Sequence, residues 1–101
     1  MAAIFITEYA EAVNIAGKLV PAGVEPAVAE QTVAITAGSL QSAAFNDKTT
    51  FVRVNVDGIC HLKFGTNPTA VATEKRIADE STEFFGVSPG QAIKVAVITG
   101  V

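Results

Sequence analysis

Phe51-Val52-Arg53-Val54-Asn55-Val56-Asp57-Gly58-Ile59-Cys60-His61-Leu62-Lys63-Phe64 is the stretch whose reading decides the fold class. Val52, Val54 and Val56 alternate with Phe51, Arg53 and Asn55, a period of two that belongs to a half-buried strand. Beyond the Asp57-Gly58 turn signal, Cys60, Leu62 and Phe64 alternate with His61 and Lys63 in the same way. An odd loop, Asp57-Gly58-Ile59, would pair Val56 with Cys60, Val54 with Leu62 and Val52 with Phe64, keeping the apolar side chains on one face. A two-residue loop would set Val54 against His61 instead. The odd loop or a bulge is therefore expected, with any positive φ on Gly58 rather than on β-branched Ile59. His61 then falls on the solvent face.

Outward from this stretch the same pattern recurs. Thr82 to Val87 and Ala92 to Thr99 flank Ser88-Pro89-Gly90-Gln91, whose Pro-Gly suits the centre of a type II turn. Four loop residues would set Phe84 opposite Val95, Gly86 opposite Ile93 and Thr82 opposite Val97, which leaves Phe85 on the other face beside Lys94 as a candidate contact residue. Gly65-Thr66-Asn67-Pro68-Thr69-Ala70 breaks regular structure and reads as a connection into a weaker strand, Val71 to Ala78. Ala3 to Thr7, Ala29 to Thr36 and Leu40 to Phe45 are further strands. Tyr9 to Val20 is read as loop. Pro21 to Pro26 is read as extended, because each proline fixes its own φ and turns its predecessor away from the helical region. The expectation is a single all-β domain over 1–101, an antiparallel sandwich or small jelly-roll-like barrel of about seven strands. Residues 9–27 would form a mostly irregular, extended arm. Tyr9, Val20, Pro21, Val24 and Pro26 on that arm, with Phe85, are the candidate partner contacts.

The composition narrows what such a domain does. Its 101 residues are 50% hydrophobic and only 17% charged, where about 25% charged is usual, and the mean hydropathy is +0.41. A small domain exposes much of its surface, so an apolar excess implies surface that meets protein. Charges such as Glu8, Glu11, Lys18, Glu25 and Glu30 interrupt every stretch that approaches membrane-spanning length, so no membrane association is expected. The N-terminal sequence lacks the basic region of a secretory signal. A net charge of −3 argues against nucleic acid as partner, since phosphate neutralisation needs clustered Lys and Arg.

Reactive chemistry is hard to assemble from these residues. The lone cysteine and the lone histidine, Cys60 and His61, are strand neighbours and point to opposite faces, so they make no nucleophile-base pair. No Gly-x-Ser-x-Gly elbow occurs. One His and one Cys do not make a sulfur-nitrogen metal site, and Asp79, Glu80 and Glu83 lack calcium-loop spacing and read as solvated surface. The glycines fall singly at turns, without a phosphate-cradling or dinucleotide pattern. No enzymatic activity, cofactor or metal is expected.

The run Phe51-Val52-Arg53-Val54, then Cys60 to Ala70, then Glu83-Phe84-Phe85-Gly86-Val87 and Pro89-Gly90 resembles a group of small tailed-bacteriophage proteins encoded among virion structural genes. Ala3 to Glu8, Ala29-Glu30-Gln31 and Gln41 to Phe45 are similar to the same group, so the resemblance spans most of the chain. It implies a virion structural protein made in the bacterial host cytoplasm and carried on the phage head, most plausibly a capsid decoration or cement protein. Its partners would be the major capsid protein or other virion proteins and further copies of itself, as a dimer or trimer, with the arm and one sheet edge at the contacts. Two alternatives are a carbohydrate- or receptor-binding module of a tail or fibre, with Tyr9 or Phe85 stacking on sugars, and a head-tail or tail component.

Overall fold

β-branched and aromatic residues at alternate positions build the strands, and the side that buries its apolar set determines which way each strand faces. The computed structural model describes residues 2–73 and 75–100, with the side chains of residues 19–21 outside the described set. Among the described residues the strands are β1 (Ala3–Tyr9), β2 (Ala12–Ile15), β3 (Lys18–Gly23), β4 (Ala29–Ala34), β5 (Leu40–Gln41), β6 (Phe51–Val56), β7 (Cys60–Gly65), β8 (Lys75–Ile77), β9 (Thr82–Gly86) and β10 (Lys94–Thr99). Two antiparallel four-stranded sheets, β4-β1-β6-β9 and β5-β10-β7-β8, pack face to face, and β2-β3 forms a separate ribbon. The all-β expectation holds, and the architecture is that of a small β-sandwich.

The periodicity gave the correct inward residues, but the pairing differs. Val52, Val54 and Val56 of β6 and Cys60 and Leu62 of β7 are all buried, yet β6 pairs with β1 and β9 while β7 pairs with β10 and β8. The expected hairpin across Asp57-Gly58-Ile59 is thus a corner that carries the chain from one sheet to the other. Two strands facing each other across a core need the same alternation as two strands side by side, so the pattern does not distinguish them. The segment 87–93 likewise crosses between sheets, and β9 does not pair with β10.

This re-pairing reverses the two adjacent phenylalanines. Val52 lies opposite Phe85, and Arg53 opposite Phe84. Phe85 therefore shares the buried face and packs against the core, with its ring 5.0 Å from that of Phe64. Phe84 is the exposed one, at 41%. His61 is another correction, since it is buried. β7 is an interior strand, and the loop that follows it folds back over the far side of its sheet. That loop is tied down by Gln41, whose Nε2 donates to Pro68 O at 2.8 Å, and by Ser39 Oγ, which accepts from Ala70 N at 2.8 Å. Pro68, Ala70 and Ala96 are buried with His61.

Between the sheets lie Ile4, Ile6, Val33, Val52, Val54 and Val56 from one side and Cys60, Leu62, Ile77, Val95 and Val97 from the other, with Phe45 closing one end. Cys60 sits here as a small hydrophobe, and burial pushes its thiol up to about 11, away from the reactive thiolate.

The segment expected to be an irregular arm is instead an antiparallel hairpin over most of its length. Ile15 pairs with Lys18, and the two residues between them, Ala16 and Gly17, both have positive φ (52° and 82°), the geometry of a two-residue primed turn. Asn14 Oδ1 accepts from Gly17 N at 3.0 Å and fixes the turn. The ladder then slips, from Asn14 opposite Leu19 to Ala12 opposite Gly23. Pro21 has no N–H to contribute, and it occupies the strand where the register shifts. Polar Asn14, Gly17 and the prolines conceal this ribbon from an apolar count, which is why it reads as loop.

Candidate functional site

Odd-numbered residues of β1 face away from the core, and they meet their counterparts on β6 in register: Thr7 opposite Arg53 and Tyr9 opposite Phe51. Tyr9 and Phe51 stack with centroids 5.2 Å apart and planes 23° from parallel, and Phe51 meets Phe84 at 6.2 Å. An aromatic row thus crosses the outer face of the first sheet from β1 to the β9 edge.

Tyr9 also anchors the hairpin. An added Cβ on Gly23 would stand 2.1 Å from the Tyr9 ring, so only glycine admits the ring against this backbone. The Tyr9 hydroxyl donates to Glu25 Oε2 at 2.8 Å. That bond first, and burial second, raise the phenol above its ordinary value, while nearby Arg53 acts in the opposite sense. Glu11 O accepts from Val24 N at 3.1 Å where the two limbs rejoin the sandwich, and the Glu25-Pro26 bond beyond is cis.

Beside this anchor a depression of about 480 Å³ is lined by Thr7, Tyr9, Glu25, Pro26, Ala27, Glu30 and Arg53. Its ionisable groups are two carboxylates, a guanidinium and the phenol, a set suited to polar or charged ligands. A second depression, about 260 Å³, has Glu8, Gln31 and Asn46 in its wall. Glu8 is itself buried, with Oε1 accepting from Asn46 N at 2.7 Å and from Thr49 Oγ1 at 2.8 Å, and Oε2 accepting from Gln31 Nε2 at 3.2 Å. These bonds tie the 42–50 segment to the sandwich, a structural task. Among the described residues no three His, Cys, Asp or Glu side chains gather as metal ligands would, and no helix is long and apolar enough to cross a membrane.

The residues singled out from sequence are partly brought together. Tyr9 is central but only 5% exposed, and it holds the hairpin instead of presenting a free ring. Val24 and Pro26 are exposed at the hairpin base, with Pro26 lining the larger depression. The side chains of Val20 and Pro21 lie outside the described residues. Phe85 faces inward, away from all of these. Sequence reading missed Ile15, at 61% the most exposed large hydrophobic residue described, which stands at the far end of the hairpin. It also missed Phe51 and Phe84. The register of β1 with β6 and β9 is what reveals them, and no local pattern carries that information. Compared with family models, with curated proteins and with solved structures, the chain matches none.

Proposed function

We propose that this chain is a non-enzymatic structural protein of a tailed-phage head, a decoration or cement protein that binds the capsid shell through its hairpin. The observation that carries the reading is the hairpin itself. It leaves the sandwich as its own two-stranded ribbon, pairs with neither sheet, and ends in an exposed isoleucine. A lone two-stranded hairpin is marginal in water; this one is anchored at its base by Tyr9 against Gly23 and Glu25, which leaves its outer end suited to lie on a partner, as extended arms and added strands do. The 43 Å long axis of a molecule only 26 and 22 Å across suits a ligand of a large surface. The resemblance of the sequence to small virion proteins favours the major capsid protein as that surface.

The test is to heat purified capsid shells with and without added protein. Saturating protein is expected to raise the temperature at which shells open. Ile15→Asp is expected to weaken binding at least roughly tenfold, the scale of losing one buried apolar anchor, while leaving the protein's own unfolding temperature unchanged. Shells that neither bind the protein nor gain stability would overturn the reading. Glycan binding by the purified protein would favour a tail or fibre module in its place.

A further inference from the structure

Each sheet ends in two edge strands, and exposed edges with unpaired N–H and C=O groups are templates for pairing unless they are guarded. Three of the four are. The β4 edge has the 42–44 segment beside it, tethered by the Gln31 side chain, which accepts from Ala43 N at 2.9 Å and donates to Ala43 O at 3.3 Å. β5 is two residues long, and β8 is three, with Lys75 and Arg76 exposed. Among the described residues β9, Thr82-Glu83-Phe84-Phe85-Gly86, is the longest unguarded edge, and it has an aromatic residue at its centre.

The ladder shows which backbone groups of β9 are free to pair. Val87 N donates to Thr50 O at 2.9 Å and Val56 N to Ser81 O at 3.0 Å. Both pairs continue the register of Val52 with Phe85 and Val54 with Glu83. Antiparallel pairs alternate between bonded and non-bonded, so residues 81, 83, 85 and 87 turn their N–H and C=O toward β6. Thr82, Phe84 and Gly86 turn theirs outward. All three are exposed, and a Cβ added at Gly86 would touch nothing within 4 Å.

We propose that β9 is a homodimer edge: a second copy lays its own Thr82–Gly86 antiparallel against the first, about a two-fold axis through Phe84, joining two four-stranded sheets into one of eight. The alternation of the outward groups matches this arrangement. Phe84 exchanges both bonds with its mate, and Thr82 exchanges both with Gly86 of the second copy at each end. The same two-fold continues the aromatic row Tyr9, Phe51, Phe84 into its mirror sequence on the other protomer. Glu83 meets Phe85 across the axis, so no like charges stand directly opposite. The two Glu83 carboxylates are diagonal neighbours, about 7–8 Å apart, and association tightens as salt screens them. A self-complementary edge closes as a dimer and leaves no open end for a third copy. The inference rests on register and not on the capsid reading, and it stands if shell binding fails.

The test is mass in solution by light scattering and sedimentation, from about 1 μM to about 1 mM, with amide hydrogen exchange on the same samples. The mass is expected to rise from 10.4 kDa to that of two chains, while the Thr82, Phe84 and Gly86 amides become protected. Gly86→Pro removes an outward donor without touching the β6 ladder, since proline is tolerated on an edge strand. It is expected to weaken the dimer roughly 100-fold, one lost bond and one obstruction at each end, with the monomer's unfolding temperature nearly unchanged. Phe84→Lys, which sets two ammonium groups together on the axis, is expected to give monomers. A single-chain mass throughout, a trimer, a dimer indifferent to Gly86→Pro, or a dimer whose three amides still exchange freely would each overturn the proposal.

Discussion

Glu8→Ala is expected to destabilise the fold by about 4 kcal/mol, a large part of the roughly 5–15 kcal/mol that holds a domain of this size together. The Glu8 carboxylate is only 2% exposed, and it is tolerated there because three donors converge on it: Asn46 N, Thr49 Oγ1 and Gln31 Nε2. A hydrogen bond contributes about 0.5–1.5 kcal/mol net, and a buried polar group left without its partner costs about 1–3 kcal/mol. Alanine removes all three and leaves the fully buried Thr49 hydroxyl facing a void. Glu8→Gln keeps one oxygen for Asn46 and Thr49 and loses only the contact to Gln31, so its cost is expected to be about 1 kcal/mol. Urea unfolding of the two variants measures the difference. Equal midpoints for both would mean that the network does not hold the 42–50 segment in place.

Gly23→Val is expected to cost about 3 kcal/mol, at the upper end of overpacking effects, and to release the hairpin from the sandwich. The steric reason is specific. The Tyr9 ring occupies the space of the missing side chain at Gly23, and it has little room to withdraw because it stacks on Phe51 and its hydroxyl is held by Glu25. Tyr9 is the sole tyrosine and tryptophan is absent, so ultraviolet absorbance and fluorescence report on this ring alone. In the native protein the phenol titrates above its ordinary value, chiefly through Glu25. Displacing the ring removes both that bond and the burial, so the alkaline titration of Gly23→Val is expected to shift downward, toward the 10.0 of an exposed tyrosine. Gly38→Val is the control, because an added Cβ there meets nothing within 4 Å. An unchanged phenol titration in Gly23→Val would mean that the ring does not anchor the hairpin.

The sandwich was legible in the sequence because its core is written in strict alternation. Val52, Val54, Val56, Cys60 and Leu62 point inward as their spacing requires. What alternation does not encode is the partner of each strand, and the departures follow from that. Taking β9 to pair with β10 turned Phe85 outward. Pairing β9 with β6 turns it inward and exposes Phe84. His61 has the parity of a solvent position, but a loop that no periodicity predicts covers it. Glu8 is the converse case. It shares the parity of Ile4 and Ile6 and lies inside with them, just beyond the expected strand Ala3 to Thr7, where a charge by itself favours the surface. Its three donors come from residues 23 to 41 positions away, beyond any local reading. The hairpin was concealed for a different reason, because its stability rests on a turn and on one tyrosine–glycine contact, not on an apolar stripe. Of the candidate contacts, Tyr9, Val24 and Pro26 do cluster at the hairpin base, while Ile15 at its end and the Phe51–Phe84 row emerge only from the assembled sheets.

Electron cryomicroscopy of the intact particle, with the copy number of this chain, locates the protein. Density for the sandwich is expected to repeat over the outer capsid lattice, with the Ala12–Gly23 ribbon and Ile15 buried against the major capsid protein. A particle that lacks the chain on its head, or that carries a few copies confined to the tail, would contradict the capsid reading.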